Sequence, residues 1–212
     1  MINRPLVVPV FISHAGCPHR CVFCNQDIVT NNRPTPPHPT LIDTALDTYL
    51  CPGPRRHARV EISFYGGNFL GLPRGVAQRM LDAAQAHVAS GRVDALRFST
   101  RPDTVDDQSL AWIAPFAVGT VEVGVQSMDD AVLTSAHRGH NAETSRHAVA
   151  LLKRAGYRVG VQLMVGLPAD SDESLAYTLV ATADMTPDFV RIYPTLVLPG
   201  SELAGWHRAG CY

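Results

Sequence analysis

With 212 residues, 46% of them hydrophobic and 17% charged, the chain has enough apolar material for one substantial buried core, which excludes an intrinsically disordered segment. Eighteen basic residues, with Lys153 the only lysine, nearly match 19 acidic ones, so a surface built mainly to hold a polyanion is excluded, although a local arginine patch is not. No apolar run approaches the roughly 18 residues of a membrane helix, and the five cysteines, an odd number with three crowded together, do not compose a disulfide framework.

In chain order, the first element is a buried strand over Leu6–Ser13. The stretch around it, from Arg4 to Ala15-Gly16-Cys17, superficially resembles a lipoprotein export signal. Its apolar part is short and holds Pro5 and Pro9, His14 stands where such signals carry an aliphatic residue, and two more cysteines follow at once. The reading retained is a first strand in a cytoplasmic protein. Asn31–Pro39 is a stiff proline-rich loop, followed by a helix over Leu41–Leu50 and a strand over Arg59–Tyr65. A helix over Arg74–Ser90 begins just after Pro73, with Val76, Met80, Ala84 and Val88 as its packed stripe. Then come a strand over Ala95–Thr100, a helix over Asp106–Ala114, a strand over Val118–Val125, a helix over Ala142–Ala155 and a strand over Tyr157–Val165. The helix over Ser171–Met185 carries capping chemistry in Ser171, Glu173 and Ser174, and a stripe of Leu175, Leu179 and Ala183; a strand over Phe189–Pro194 follows it. Residues 1–200 form one core domain. Residues 201–212 are a tail that stops just as a further helix would begin, so a truncated product is one reading.

Helices separating strands at intervals of about 30 residues imply parallel strands joined by right-handed crossovers. Runs such as Val159–Val165 suit strands covered on both faces. Polar and glycine punctuation falls at the C-terminal strand ends, at Gly16, Gly66-Gly67, Thr100-Arg101, Gln126-Ser127, Gly166-Leu167-Pro168 and Tyr193-Pro194, the edge where α/β proteins bind ligands. Six units are too few for a closed eight-unit barrel. The expected fold is α/β, an open (β/α)6 part-TIM-barrel with parallel strands.

Cys17, Cys21 and Cys24 are spaced C-x3-C-x2-C on the loop leaving the first strand. Three readings of that spacing compete: a structural zinc site completed by His14, His19 or Cys51; a disulfide with a spare thiol; and a four-iron cluster whose fourth iron stays open to a small molecule. Cys51 and Cys211 are read as incidental.

The spacing, with Phe23 one position before the last cysteine, resembles the signature of the radical S-adenosylmethionine enzymes. The resemblance implies that Cys17, Cys21 and Cys24 hold a [4Fe–4S] cluster. Its open iron would chelate the amino and carboxylate groups of S-adenosylmethionine, which an electron then cleaves to methionine and a 5′-deoxyadenosyl radical. Gly66-Gly67-Asn68 is similar to the family's glycine-rich motif that receives the amino group, although an acidic residue often stands where this chain has Asn68. Gln126 and Arg138, twelve positions apart, are similar to the pair that reaches the ribose hydroxyls and the carboxylate in oxygen-independent coproporphyrinogen III oxidases. An arginine fork suits a carboxylate, and a glutamine both donates to and accepts from a hydroxyl. Gln162 resembles a second ribose-contacting position, and a glutamine inside Val-Gln-Leu-Met-Val is costly to bury without a partner. Arg101 would face S-adenosylmethionine or substrate, and Tyr193 would lie beside the adenine.

The strings Gly16–Gln26, Phe64–Pro73, Ser99–Asp103 and Val190–Thr195 resemble the radical core of the Elongator catalytic-subunit family, especially short bacterial relatives. With no room for an acetyltransferase domain before Tyr212, transfer-RNA carboxymethylation is not expected to carry over. The substrate class stays open between a small molecule, a tRNA base and a peptide. An external electron donor is implied, a membrane is not, and the oligomeric state is unspecified. The rival class is a non-catalytic metal-binding or degenerate scaffold protein, which metal analysis would separate.

Overall fold

Six parallel strands in sequential spatial order build the sheet: β1 (Leu6–Phe11), β2 (Val60–Tyr65), β3 (Ala95–Thr100), β4 (Val118–Gln126), β5 (Arg158–Val165) and β6 (Phe189–Pro194). They belong to a computed structural model that describes residues 5–12, 16–25, 36–50 and 59–212. The sheet curls into a half-barrel with helices on its outside, the expected open α/β part-barrel. The helices are α1 (Thr40–Tyr49), α2 (Arg74–Ala89), α3 (Asp107–Ile113), α4 (Asp130–Ser135), α5 (Ala142–Arg154), α6 (Asp172–Asp184) and α7 (Glu202–Arg208). None is long and apolar enough to cross a membrane. His14, Cys51 and the first part of the Asn31–Pro39 loop lie outside the described residues.

Period-two alternation decides which side chains meet the helices. Ile62, Phe64, Leu96, Phe98, Val121, Val123, Val161 and Leu163 point outward into the main core and are at most 1% exposed. Phe69 stacks between Phe64 and Phe98, with ring centroids 4.9 and 4.7 Å away. The alternate positions point into the half-barrel and are polar: Glu61 and Ser63 on β2, Arg97 and Ser99 on β3, Glu122 on β4, Gln162 on β5. The expectation of apolar strands covered on both faces is therefore corrected. The inner face is an ion-pair network, and the alternation is already legible in Glu61-Ile62-Ser63-Phe64 and Leu96-Arg97-Phe98-Ser99.

Two helical stripes also differ from expectation. Helix α2 buries Ala77, Met80, Leu81 and Ala84, with Val76 and Val88 only half-buried. Helix α6 buries Ser174, Thr178, Ala181 and Thr182, while Leu179 is 44% exposed. The cause at α6 is hydrogen bonding: Thr178 Oγ1 accepts from the Met128 amide at 3.0 Å and shares a bond with Ser127 Oγ at 3.1 Å. Small and hydroxyl-bearing residues seat this helix, not leucines. Its start matches the sequence, with Ser171 and Ser174 forming a reciprocal capping box.

Candidate active site

The C-terminal ends of the strands enclose a cavity of about 530 Å³. Cys17, Cys21 and Cys24 line it from the loop after β1, Gly66 and Gly67 from the end of β2, and Arg101 from the end of β3. Gln126 enters from the end of β4, Arg138 from behind α4, and Gln162 and Tyr193 from β5 and β6. Asn68 does not line it.

Three anchors fix the cysteine loop. Asn68 Nδ2 donates to the Gly16 carbonyl at 2.8 Å, the Val22 amide donates to the Ala136 carbonyl at 3.2 Å, and the Leu203 amide donates to the Val22 carbonyl at 2.8 Å. Val22 is fully buried between α4 and α7. Gly16 has φ +86°, and a Cβ there would come within 2.3 Å of the Asn68 carbonyl oxygen, so the loop can leave β1 at this point only through glycine. The assignment of Asn68 as a cofactor contact is corrected. Its amide is fully buried, and its Oδ1 accepts from the Thr100 and Thr104 hydroxyls at 2.7 and 2.9 Å and from the Arg101 amide at 3.1 Å. The residue clamps the cysteine loop to the end of β3.

Between Gly124 and Gln126 the register of β4 against β5 shifts, and Gln126 takes φ +71°, a left-handed conformation rare outside glycine. The bulge turns its side chain into the cavity, where the buried Oε1 has no hydrogen-bond partner. Arg138 donates to Cys21 Sγ at 3.1 Å and to the Gly124 carbonyl at 2.6 Å, leaving its buried Nε unpartnered. Arg101 grips Asp103 with two bonds of 2.9 and 3.0 Å and donates to the Arg138 carbonyl, leaving its buried Nη1 unpartnered. Buried polar atoms normally find partners. Two guanidinium donors and an amide acceptor orphaned at one cavity fit a zwitterionic ligand that brings a carboxylate and hydroxyls. His140 lies beside both arginines with neither ring nitrogen bonded; burial, then the Arg138 and Arg101 charges, push its pKa down to about 3.

Below this rim lies the polar inner face, of which the sequence singles out Gln162 alone. Glu122, fully buried, accepts from Tyr65 Oη at 2.8 Å, Arg97 Nε at 2.8 Å, Gln162 Nε2 at 2.9 Å and Arg191 Nη1 at 2.9 Å. Burial alone would raise its pKa, but the Gln162 hydrogen bond and the Arg97 and Arg191 charges hold the carboxyl below its ordinary value. Burial and the neighbouring Glu122 charge raise the Tyr65 phenol. Among the described residues no three His, Cys, Asp or Glu side chains are placed to grip a single metal ion. Burial raises the pKa of Cys17, with Arg101 opposing.

An α/β half-barrel with three cysteines and a charged, glycine-lined cavity at its strand ends defines a class in which a cysteine-held cofactor sits against a small-molecule pocket. The chain matches the Radical SAM superfamily over residues 11–180 and belongs to it. The cofactors of that superfamily are a [4Fe–4S] cluster and S-adenosylmethionine. A tRNA uridine(34) acetyltransferase from Methanocaldococcus infernus is 30% identical over 99% of this chain and 46% of its own length. The solved structure of the archaeal M. infernus Elp3 with its N-terminus deleted superposes with a TM-score of 0.71 at 25% identity, covering 100% of this chain and 50% of that one. Coproporphyrinogen III oxidase from Escherichia coli, a radical SAM enzyme, superposes with a TM-score of 0.67 at 18% identity over 95% of this chain and 46% of that one, a likeness of fold. The chain thus spans about half the length of these relatives.

Proposed function

We propose that this chain is an Elongator-like radical S-adenosylmethionine core in which Cys17, Cys21 and Cys24 hold the cluster and Gly66, Gly67, Arg101, Gln126, Arg138, Gln162 and Tyr193 hold S-adenosylmethionine. The observation that carries the reading is the set of orphaned groups, Arg101 Nη1, Arg138 Nε and Gln126 Oε1, gathered at the cavity that the cysteines also line. When bound, the two cofactors supply an organic radical able to take a hydrogen atom from an unactivated carbon. The chain orients the ligand. The two arginines face the ligand carboxylate, Gln126 and Gln162 face ribose hydroxyls, and Gly66, with φ +89°, lets the backbone approach closely.

The names of the relatives support a tRNA base as substrate over a free small molecule or a peptide. The test is anaerobic reconstitution with iron and sulfide, reduction with dithionite, and measurement of 5′-deoxyadenosine with and without tRNA. Wild type is expected to form it, faster with tRNA, and Cys24→Ala to form none. Equal product from both proteins would overturn the reading.

A further inference from the structure

Arg191 brings to the cavity a charge for which the cofactor reading above has no use. It stands on the inner face of β6, in register with Gln162, with its side chain 41% exposed. Among the described residues only its Nη1 is hydrogen-bonded, to Glu122 Oε2 at 2.9 Å and to Tyr65 Oη at 3.2 Å. The rings of Tyr65 and Tyr193 lie 5.5 and 5.9 Å from the guanidinium. Nε and Nη2, the other edge of the fork, carry no hydrogen bond among the described residues, and Arg191 lines the cavity.

The charge count of the inner network shows that this edge is not spent internally. Glu61 bonds Arg59 at 2.7 Å and Arg97 at 3.2 Å, and Glu122 bonds Arg97 and Arg191. Two carboxylates therefore serve three guanidinium groups, and the net positive charge emerges at the exposed ends, Arg59 and Arg191. The cavity wall carries four arginines and, among the described residues, no carboxylate of its own. S-adenosylmethionine brings one carboxylate, to which Arg138 and Arg101 present their orphaned donors. Arg20, exposed on the cysteine loop, and Arg191 are left, and of the two Arg191 is the one braced against a buried carboxylate.

We propose that Arg191 is the anchor of the substrate, binding an oxoanion, phosphate or carboxylate; this rests on the reading of the cavity as the place where substrate is turned over. A guanidinium fork with one edge braced by a buried carboxylate offers two parallel donors to such a group.

Isothermal titration with phenyl phosphate, benzoate and phenol tests the proposal on the cluster-free chain and again on the reconstituted chain with S-adenosylmethionine. Phenyl phosphate or benzoate is expected to bind at least about tenfold more tightly than phenol in both forms, and the preferred anion tells phosphate from carboxylate. In the chain loaded with S-adenosylmethionine, where Arg101 and Arg138 are engaged, Arg191→Gln abolishes that preference and leaves phenol binding unchanged, whereas Arg154→Gln, an exposed charge at the end of α5, changes neither. Should the glutamine variant fail to fold, Arg191→Lys keeps Glu122 paired and still weakens anion binding several-fold through loss of the fork. Anions binding no better than phenol, or unchanged affinity in the folded Arg191 variants loaded with S-adenosylmethionine, overturns the proposal. A chain that shows the anion preference but never cleaves S-adenosylmethionine overturns the cofactor reading instead and leaves the anion site standing.

Discussion

The carboxamide of Asn68 donates to Gly16 on one side and accepts from Thr100, Thr104 and Arg101 on the other. An aspartate keeps the acceptor, loses the donor, and buries a charge against the Gly16 carbonyl. Asn68→Asp is expected to lower unfolding free energy by about 2–4 kcal/mol, measured by denaturant titration, and to gain no contact with S-adenosylmethionine, since the residue stands outside the cavity. His140 gives the site a pH dependence. Its pKa falls from 6.5 to about 3 on folding, so between those values the unfolded chain binds the extra proton and stability declines as pH falls. His140→Phe is expected to flatten the loss in melting temperature between pH 7 and pH 4; an unchanged slope would show that the imidazole is not the group responsible. Motif spacing singled out the three cysteines, the glycine pair, Gln126, Arg138 and Gln162, which the fold gathers at one cavity because they lie on the strands or on the loops that follow them. It misplaced Asn68 because spacing says which loop a residue occupies and not which way its side chain turns. His140 gave no signal at all, since its environment is assembled from β3, β4 and the loop after α4.

At the scale of elements, the two helices absent from the sequence reading are the ones that hold the cysteine loop. Helix α4 ends at Ser135, one residue before the carbonyl that receives Val22, and α7 begins where Leu203 donates back to Val22. Six and seven residues are too short to display a helical period, so α4 and α7 could be found only through the contacts that stabilise them. Helices α2 and α6 were legible in extent but only partly, or not at all, in facing. Helix α6 is the instructive case. Thr178→Val removes the acceptor for the Met128 amide and should cost about 1–3 kcal/mol, whereas Leu179→Ser, on the exposed side, should stay within about 0.5 kcal/mol. Paired thermal melts of the two variants check this, and the reverse order would restore the leucine stripe read from the sequence.

The whole molecule is a sheet with two unlike faces, and this governs what its sequence could disclose. The outer face follows the hydrophobic code, so six parallel strands in order are readable. The inner face is built from Glu61, Arg97, Glu122, Gln162 and Arg191, which lie between 25 and 130 residues apart and meet only after the sheet curls. Their partnership leaves only the polar half of an alternation as its trace. Among the described residues β6, the strand that carries Arg191, is an edge of the sheet. Its outward residues Val190 and Ile192 are 42% and 56% exposed, Leu196 just beyond it is 60% exposed, and among the described residues β6 pairs with β5 alone. A short β-prone segment with an open hydrogen-bonding flank is a template for cross-molecule pairing. When the protein is overproduced by itself, this stretch is expected to seed aggregation. Ile192→Lys, placing a gatekeeper charge on the side away from the cavity, should raise the recovered monomer on gel filtration and leave ligand affinity untouched.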